Sequence, residues 1–70
     1  MNKKEAEDIA YAIKDLIDGA YNGAYSVLEV VSPLMELGNM PKVLEELKWI
    51  YEEAEPEKLD FIKGYLYIDI

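Results

Sequence analysis

From Ala6 to Leu37 the apolar residues of this chain keep a single helical phase. Ala6, Ile9, Ala10, Ile13, Leu16, Ile17, Ala20, Ala24, Val27, Leu28, Val31, Leu34 and Met35 fall within about 60° of one direction on an ideal helix, and Leu37 closes the segment. The pattern predicts a long first helix over about residues 3–37, because two independent helices would have no reason to share a phase. Two features compete with continuity. Asp18-Gly19 and Asn22-Gly23 are turn dipeptides, and each glycine costs about 1 kcal/mol relative to alanine inside a helix. A break at 19–23, giving a helical hairpin, is therefore the rival reading. Pro33 removes an intrahelical hydrogen bond, so a kink at 32–33 or a new turn capped by Ser32 is also allowed.

If the helix is continuous, Gly19-Ala20-Tyr21 followed by Gly23-Ala24-Tyr25 stacks like on like one turn apart. Small residues in two adjacent rows let another backbone approach, and the tyrosines cover what arrives. These six residues are thus candidate helix-packing or dimer contacts. The alternative is a strained turn between two helices.

Gly38-Asn39 is expected to end the first helix, glycine as the left-handed terminator and Asn39 as the next cap. Met40, Val43, Leu44, Leu47, Ile50, Tyr51 and Ala54 then recur at three- and four-residue steps and predict a second helix over 41–54. Glu55-Pro56 breaks it. A third helix over 57–67, with Leu59, Ile62, Tyr65 and Leu66 as its apolar face, leaves a loose end. The expected fold class is all-α: a small bundle of three helices, the first long or kinked and two shorter ones folded back along it, forming a single domain over 1–70. An unbroken first helix would be roughly 50 Å long. A dimer burying the shared stripe would support it.

Trp49 lies outside the stripe of the second helix. It projects about 160° from the direction of Leu47, among Lys42, Glu45, Glu46, Glu52 and Glu53. A large indole set among carboxylates is a suitable anchor for another protein, since it supplies buried area with few torsions to freeze. Tyr11 repeats that placement on the first helix. Candidate partner-binding residues are therefore Trp49, Glu45, Glu46, Glu52, Glu53 and Tyr11, with Tyr51 as a second anchor beside the indole.

Charge narrows the kind of partner. Fifteen acidic residues against seven lysines give a net charge of −8, which repels phosphate backbones and anionic membranes and favours a basic protein surface. With no cysteine or histidine, neither disulfides nor zinc supplements the thin core of a chain this short. Self-association remains, and a homo-oligomer is expected. The charged N-terminal segment and the lack of a long apolar run point to a cytoplasmic protein. The absence of arginine, histidine, glutamine, threonine and cysteine is compatible with an AT-rich coding sequence, such as that of a low-GC bacterium or a phage.

Chemistry is sparse. Ser26 and Ser32 are the only hydroxyl nucleophiles besides tyrosine, and no histidine accompanies them. No calcium-loop spacing and no phosphate-binding glycine loop is present, so neither a cofactor nor a metal is expected. The chain reads as a non-enzymatic protein-binding module, an inhibitor or regulator of a host macromolecule of the kind phages and mobile elements encode. The alternatives are a nucleic-acid mimic, for which seven acids between Glu45 and Asp60 speak, and a structural homo-oligomerisation domain.

Overall fold

The computed structural model describes all 70 residues and contains four α-helices and no strand. The first helix, α1, spans Lys3–Asn22. Asn2 caps its start, its side-chain oxygen accepting the Glu5 N–H at 2.8 Å. The helix ends because Gly23 adopts a left-handed backbone with φ 82°, a conformation strained for any residue with a Cβ. Ser26 then starts α2, which spans Val27–Met35. Its hydroxyl accepts the Glu29 N–H at 3.3 Å while its own N–H donates to Glu29 Oε2 at 2.7 Å, a reciprocal capping box.

This corrects the continuous first helix. The break falls at residues 23–26, and the longest dimension of the molecule is only 32 Å. Nor does the shared phase define one buried face: α2 buries Val30 and Leu34 and leaves Leu28, Val31 and Met35 exposed. The repeated Gly-Ala-Tyr does not form two stacked rows open to another helix either. Gly19, Ala20 and Tyr21 lie in α1, whereas Gly23, Ala24 and Tyr25 belong to the turn. The Tyr25 ring folds back onto Gly19, where a Cβ would run into it, and the Tyr25 N–H donates to the Gly19 carbonyl at 3.1 Å. The two glycines therefore have different jobs, one admitting an aromatic ring and the other reversing the chain.

Helix α2 runs through Pro33 and tightens into a 3-10 turn over Glu36–Asn39. Ser32 caps nothing, and Gly38 is not left-handed. Met40, rather than Asn39, precedes α3, which spans Pro41–Ala54 and has proline in its first turn. A second 3-10 turn, Pro56–Lys58, leads into α4, Leu59–Gly64. That helix stops short of Tyr67, and the tail is not loose. The Ile68 N–H donates to the Ile62 carbonyl at 3.1 Å, Ile68 is buried, and Tyr67 turns the chain with φ 57°. Tyr65 leaves the core and stacks on Phe61 at a ring separation of 5.3 Å.

The core gathers Ala6, Ala10 and Ile17 of α1, Val30 and Leu34 of α2, Leu37 of the 3-10 turn that follows, Val43, Leu47 and Tyr51 of α3, and Ile62 and Ile68. Helix α1 packs chiefly on α3. Ala6 and Ala10 are small enough at this seam to bring the two helices close, which sets the geometry of what lies along its edge. No helix is long and apolar enough to cross a membrane.

Candidate functional site

Along the α1 and α3 seam, Trp49 and Tyr11 come together from two helices. Trp49 is 47% exposed and Tyr11 56%, and both line a groove of about 280 Å³ with Glu7, Glu46, Ile50 and Glu53. The other side of the indole borders a second groove with Lys3, Ala6, Lys42, Glu45 and Glu46. Trp49 and Glu46 thus form a wall shared by both. Lys3 Nζ stands 5.9 Å from the indole centroid, and Lys42 Nζ donates to the Met1 carbonyl at 3.0 Å. The lysines collect at the N-terminal end of the wall, while the Tyr11 side carries Glu7, Glu46 and Glu53 without a lysine in the lining.

Of the six candidate binding residues, Trp49, Tyr11, Glu46 and Glu53 line one groove, Glu45 lines the adjoining one, and Glu52 is exposed but lines neither. Tyr51 cannot serve as a second anchor. It is fully buried, and its hydroxyl donates to Asp18 Oδ1 at 2.9 Å.

That hydrogen bond belongs to a polar clamp between α1, the end of α3 and the Pro56–Lys58 turn. Lys14 pairs with Asp18 at 2.6 Å and with Glu55 at 3.2 Å. Lys58 pairs with the same two carboxylates, at 3.2 Å each. Two ammonium groups and two carboxylates alternate, so the cluster is neutral as a whole. Burial alone would raise the Asp18 pKa, but hydrogen bonds from Lys14, Tyr51 and Lys58 outweigh it and hold the carboxyl below its ordinary value. The hydrogen bonds from Lys14 and Lys58 lower Glu55. Lys14 is raised chiefly by its bond to Asp18. Lys58 is raised because its bonds to Glu55 and Asp18 overcome desolvation. Burial, reinforced by Asp18, pushes the Tyr51 phenol up. Each charged group is paired within the cluster, the buried Glu55 Oε2 meeting the Lys14 ammonium as an ion pair without a hydrogen bond, and the clamp ties α1 to α3 and the Pro56–Lys58 turn.

No family model, curated protein or solved structure matches this chain.

Two features escaped the sequence pattern. The clamp is one. A signal for it existed in Lys14 and Asp18, spaced to pair across one helical turn, but nothing in the spacing linked them to Tyr51, Glu55 and Lys58. The other is an apolar surface on the far side of α2, where Leu28 is 84% exposed, Met35 73% and Tyr67 87%. Beside it runs a groove of about 420 Å³ lined by Val27, Val31, Leu34, Leu44, Leu66 and Ile68 among others. The exposed face was hidden within the presumed continuous stripe. Ser26 with Glu29, three residues apart, was the signal that would have separated α2 from it.

Proposed function

We propose that this chain is a non-enzymatic protein-binding module whose groove between Trp49 and Tyr11 takes a lysine- or arginine-bearing segment of another protein, inhibiting or regulating that partner. The observation carrying this reading is the convergence of two half-exposed aromatic rings from different helices among Glu7, Glu46 and Glu53. Rings supply apolar area and a π-face for a cation, and the carboxylates supply complementary charge that steers a basic partner. The ammonium of Lys3 near the indole supports a ring face that accommodates a cation.

The same placement favours aromatic-anchored recognition over nucleic-acid mimicry. Glu55 is neutralised inside the clamp, and Lys3 and Lys42 interrupt the acidic surface next to Trp49.

Affinity capture from the native host, run in parallel with the wild-type chain and Trp49→Ala, tests the proposal. A captured protein is then isolated and its affinity measured for both chains. Loss of the indole weakens binding by about 30-fold or more, equivalent to roughly 2 kcal/mol, with unchanged far-ultraviolet circular dichroism. A partner held equally by both chains removes the anchor role.

A further inference from the structure

We infer that the exposed face of α2, together with Tyr67, is a self-association surface on which two copies of this chain pair antiparallel about a two-fold axis. Leu28, Val31 and Met35 follow one another at steps of three and four residues, the spacing of a helix-to-helix seam. On the helical wheel this row lies about 120° away from Val30 and Leu34, the residues that α2 gives to the core. The helix is therefore apolar on two sides, and its own fold covers only one.

Size and shape select a second copy as the occupant. The surface left open at Leu28, Val31, Met35 and Tyr67 comes to roughly 600 Å², at the upper limit for the largest patch on a monomer and close to the roughly 800 Å² per partner of a stable interface. An antiparallel pairing centred on Val31 sets the smallest side chain of the row against its own copy at the axis and each Leu28 against the other copy's Met35. Large thus fills the ends and small the centre, as an isologous contact requires. The groove between α2 and the tail gives room beside this seam for side chains of the other copy.

Charge bears directly on self-pairing, because a molecule of net charge −8 repels its own copy. Residues 24–40 and 65–70, which build this face, hold three acids, Glu29, Glu36 and Asp69, and no lysine. Twelve of the fifteen acids lie elsewhere in the chain. All seven lysines lie elsewhere too, so the three acids flanking this face are uncompensated and oppose pairing until salt screens them. The inference does not rest on the Trp49 groove, which lies on other elements and stays open in such a dimer.

Sedimentation equilibrium of the full chain across the micromolar range, at low and high salt, tests it. The expected result is a reversible dimer with a dissociation constant of roughly 1–100 µM, tighter at high salt because screening relieves the mutual repulsion. Leu28→Glu weakens the dimer by roughly 100-fold with the same helical circular dichroism, since position 28 is exposed and the first turn of a helix favours a negative charge. Val31→Cys gives a second readout in a chain that has no other cysteine: with an added oxidant it forms an interchain disulfide that Leu28→Glu suppresses. A chain that stays monomeric at the highest concentration in high salt overturns the inference. So does a dimer that both Leu28→Glu and Met35→Lys leave intact.

Discussion

The molecule presents two surfaces rich in exposed apolar side chains, and they differ most in the charge around them. Along α1 and α3, Trp49 and Tyr11 stand among Glu7, Glu46 and Glu53. On α2 and the tail, Leu28 and Met35 are followed in sequence by Glu29 and Glu36, and Tyr67 shares a shallow groove with Lys63 and Asp69. Apolar area alone would make both faces adhesive. Charge separates what they attract, because carboxylates around an aromatic ring draw a cationic partner and oppose a second acidic copy, whereas the row Leu28, Val31 and Met35 carries no charge of its own and its flanking acids yield to screening. The two proposed contacts should therefore respond to salt in opposite directions: screening is expected to weaken a basic partner's hold on the groove and to strengthen self-pairing through α2.

The strongest way to break this arrangement is through the clamp, which aligns the groove but does not touch the α2 face. Asp18→Ala leaves two lysines and the Tyr51 hydroxyl short of their shared acceptor. It should lower unfolding stability by about 2–4 kcal/mol, between the value of an exposed ion pair and that of a fully buried one, as read from urea denaturation. Asp18→Asn, which keeps the shape and loses the charge, should fall between wild type and Asp18→Ala. Trp49→Ala comes next. It should weaken partner binding by about 2 kcal/mol or more without altering the sedimentation of the chain, whereas Leu28→Glu should do the reverse.

A milder perturbation is pH. Asp18 and Glu55 are held below their ordinary values, so the stability they contribute is complete above an unfolded pKa of about 4 and is lost as pH falls through the lower folded values. Lys14 and Lys58 are raised. Their contribution is complete below an unfolded pKa of about 10.4 and is lost as pH rises through the higher folded values. Tyr51 has the same sign, because the unfolded chain begins to release the phenol proton near pH ~10 while the folded chain retains it. The urea midpoint should therefore be flat from about pH 5 to 9 and fall on both sides, and Asp18→Asn should flatten the acid limb. The smallest effect is expected at the tail. Tyr67→Gly relieves the left-handed backbone at φ 57° and should change monomer stability by about +0.5 kcal/mol after the entropy of glycine is counted, while it weakens the dimer by removing the ring.

The hydrophobic periodicity of the chain carried its helical class and the stripe of Val43, Leu47 and Tyr51 on α3, because a helix packed on one side writes its buried face directly into residue spacing. The same signal misled between residues 19 and 37. A phase shared by Ala20, Leu28 and Met35 says that those residues are apolar at helical steps. It does not say that one core covers them all, and in α2 the row at Leu28 and Met35 faces outward. Local chemistry was the better guide there, since a left-handed glycine at 23 and the Ser26 and Glu29 capping pair terminate and restart a helix whatever the phase beyond. The outward placement of Trp49 was legible from its angle on α3. That Tyr11 would stand next to it was not, because the register between α1 and α3 depends on Ala6, Ala10 and the clamp, which only the tertiary structure joins.

The indole of Trp49 is half exposed in the free chain, and as the only tryptophan it reports directly on the proposed cover by a cationic partner. Acrylamide quenching of Trp49 fluorescence, measured alone and during titration with a lysine- and arginine-rich peptide at low and high salt, is the decisive measurement. Ready quenching is expected in the free protein, with protection as the peptide binds and loss of that protection at high salt, all unchanged in Leu28→Glu. An indole shielded in the free monomer, or a quenching constant indifferent to the peptide at low salt, would contradict the proposed role of Trp49.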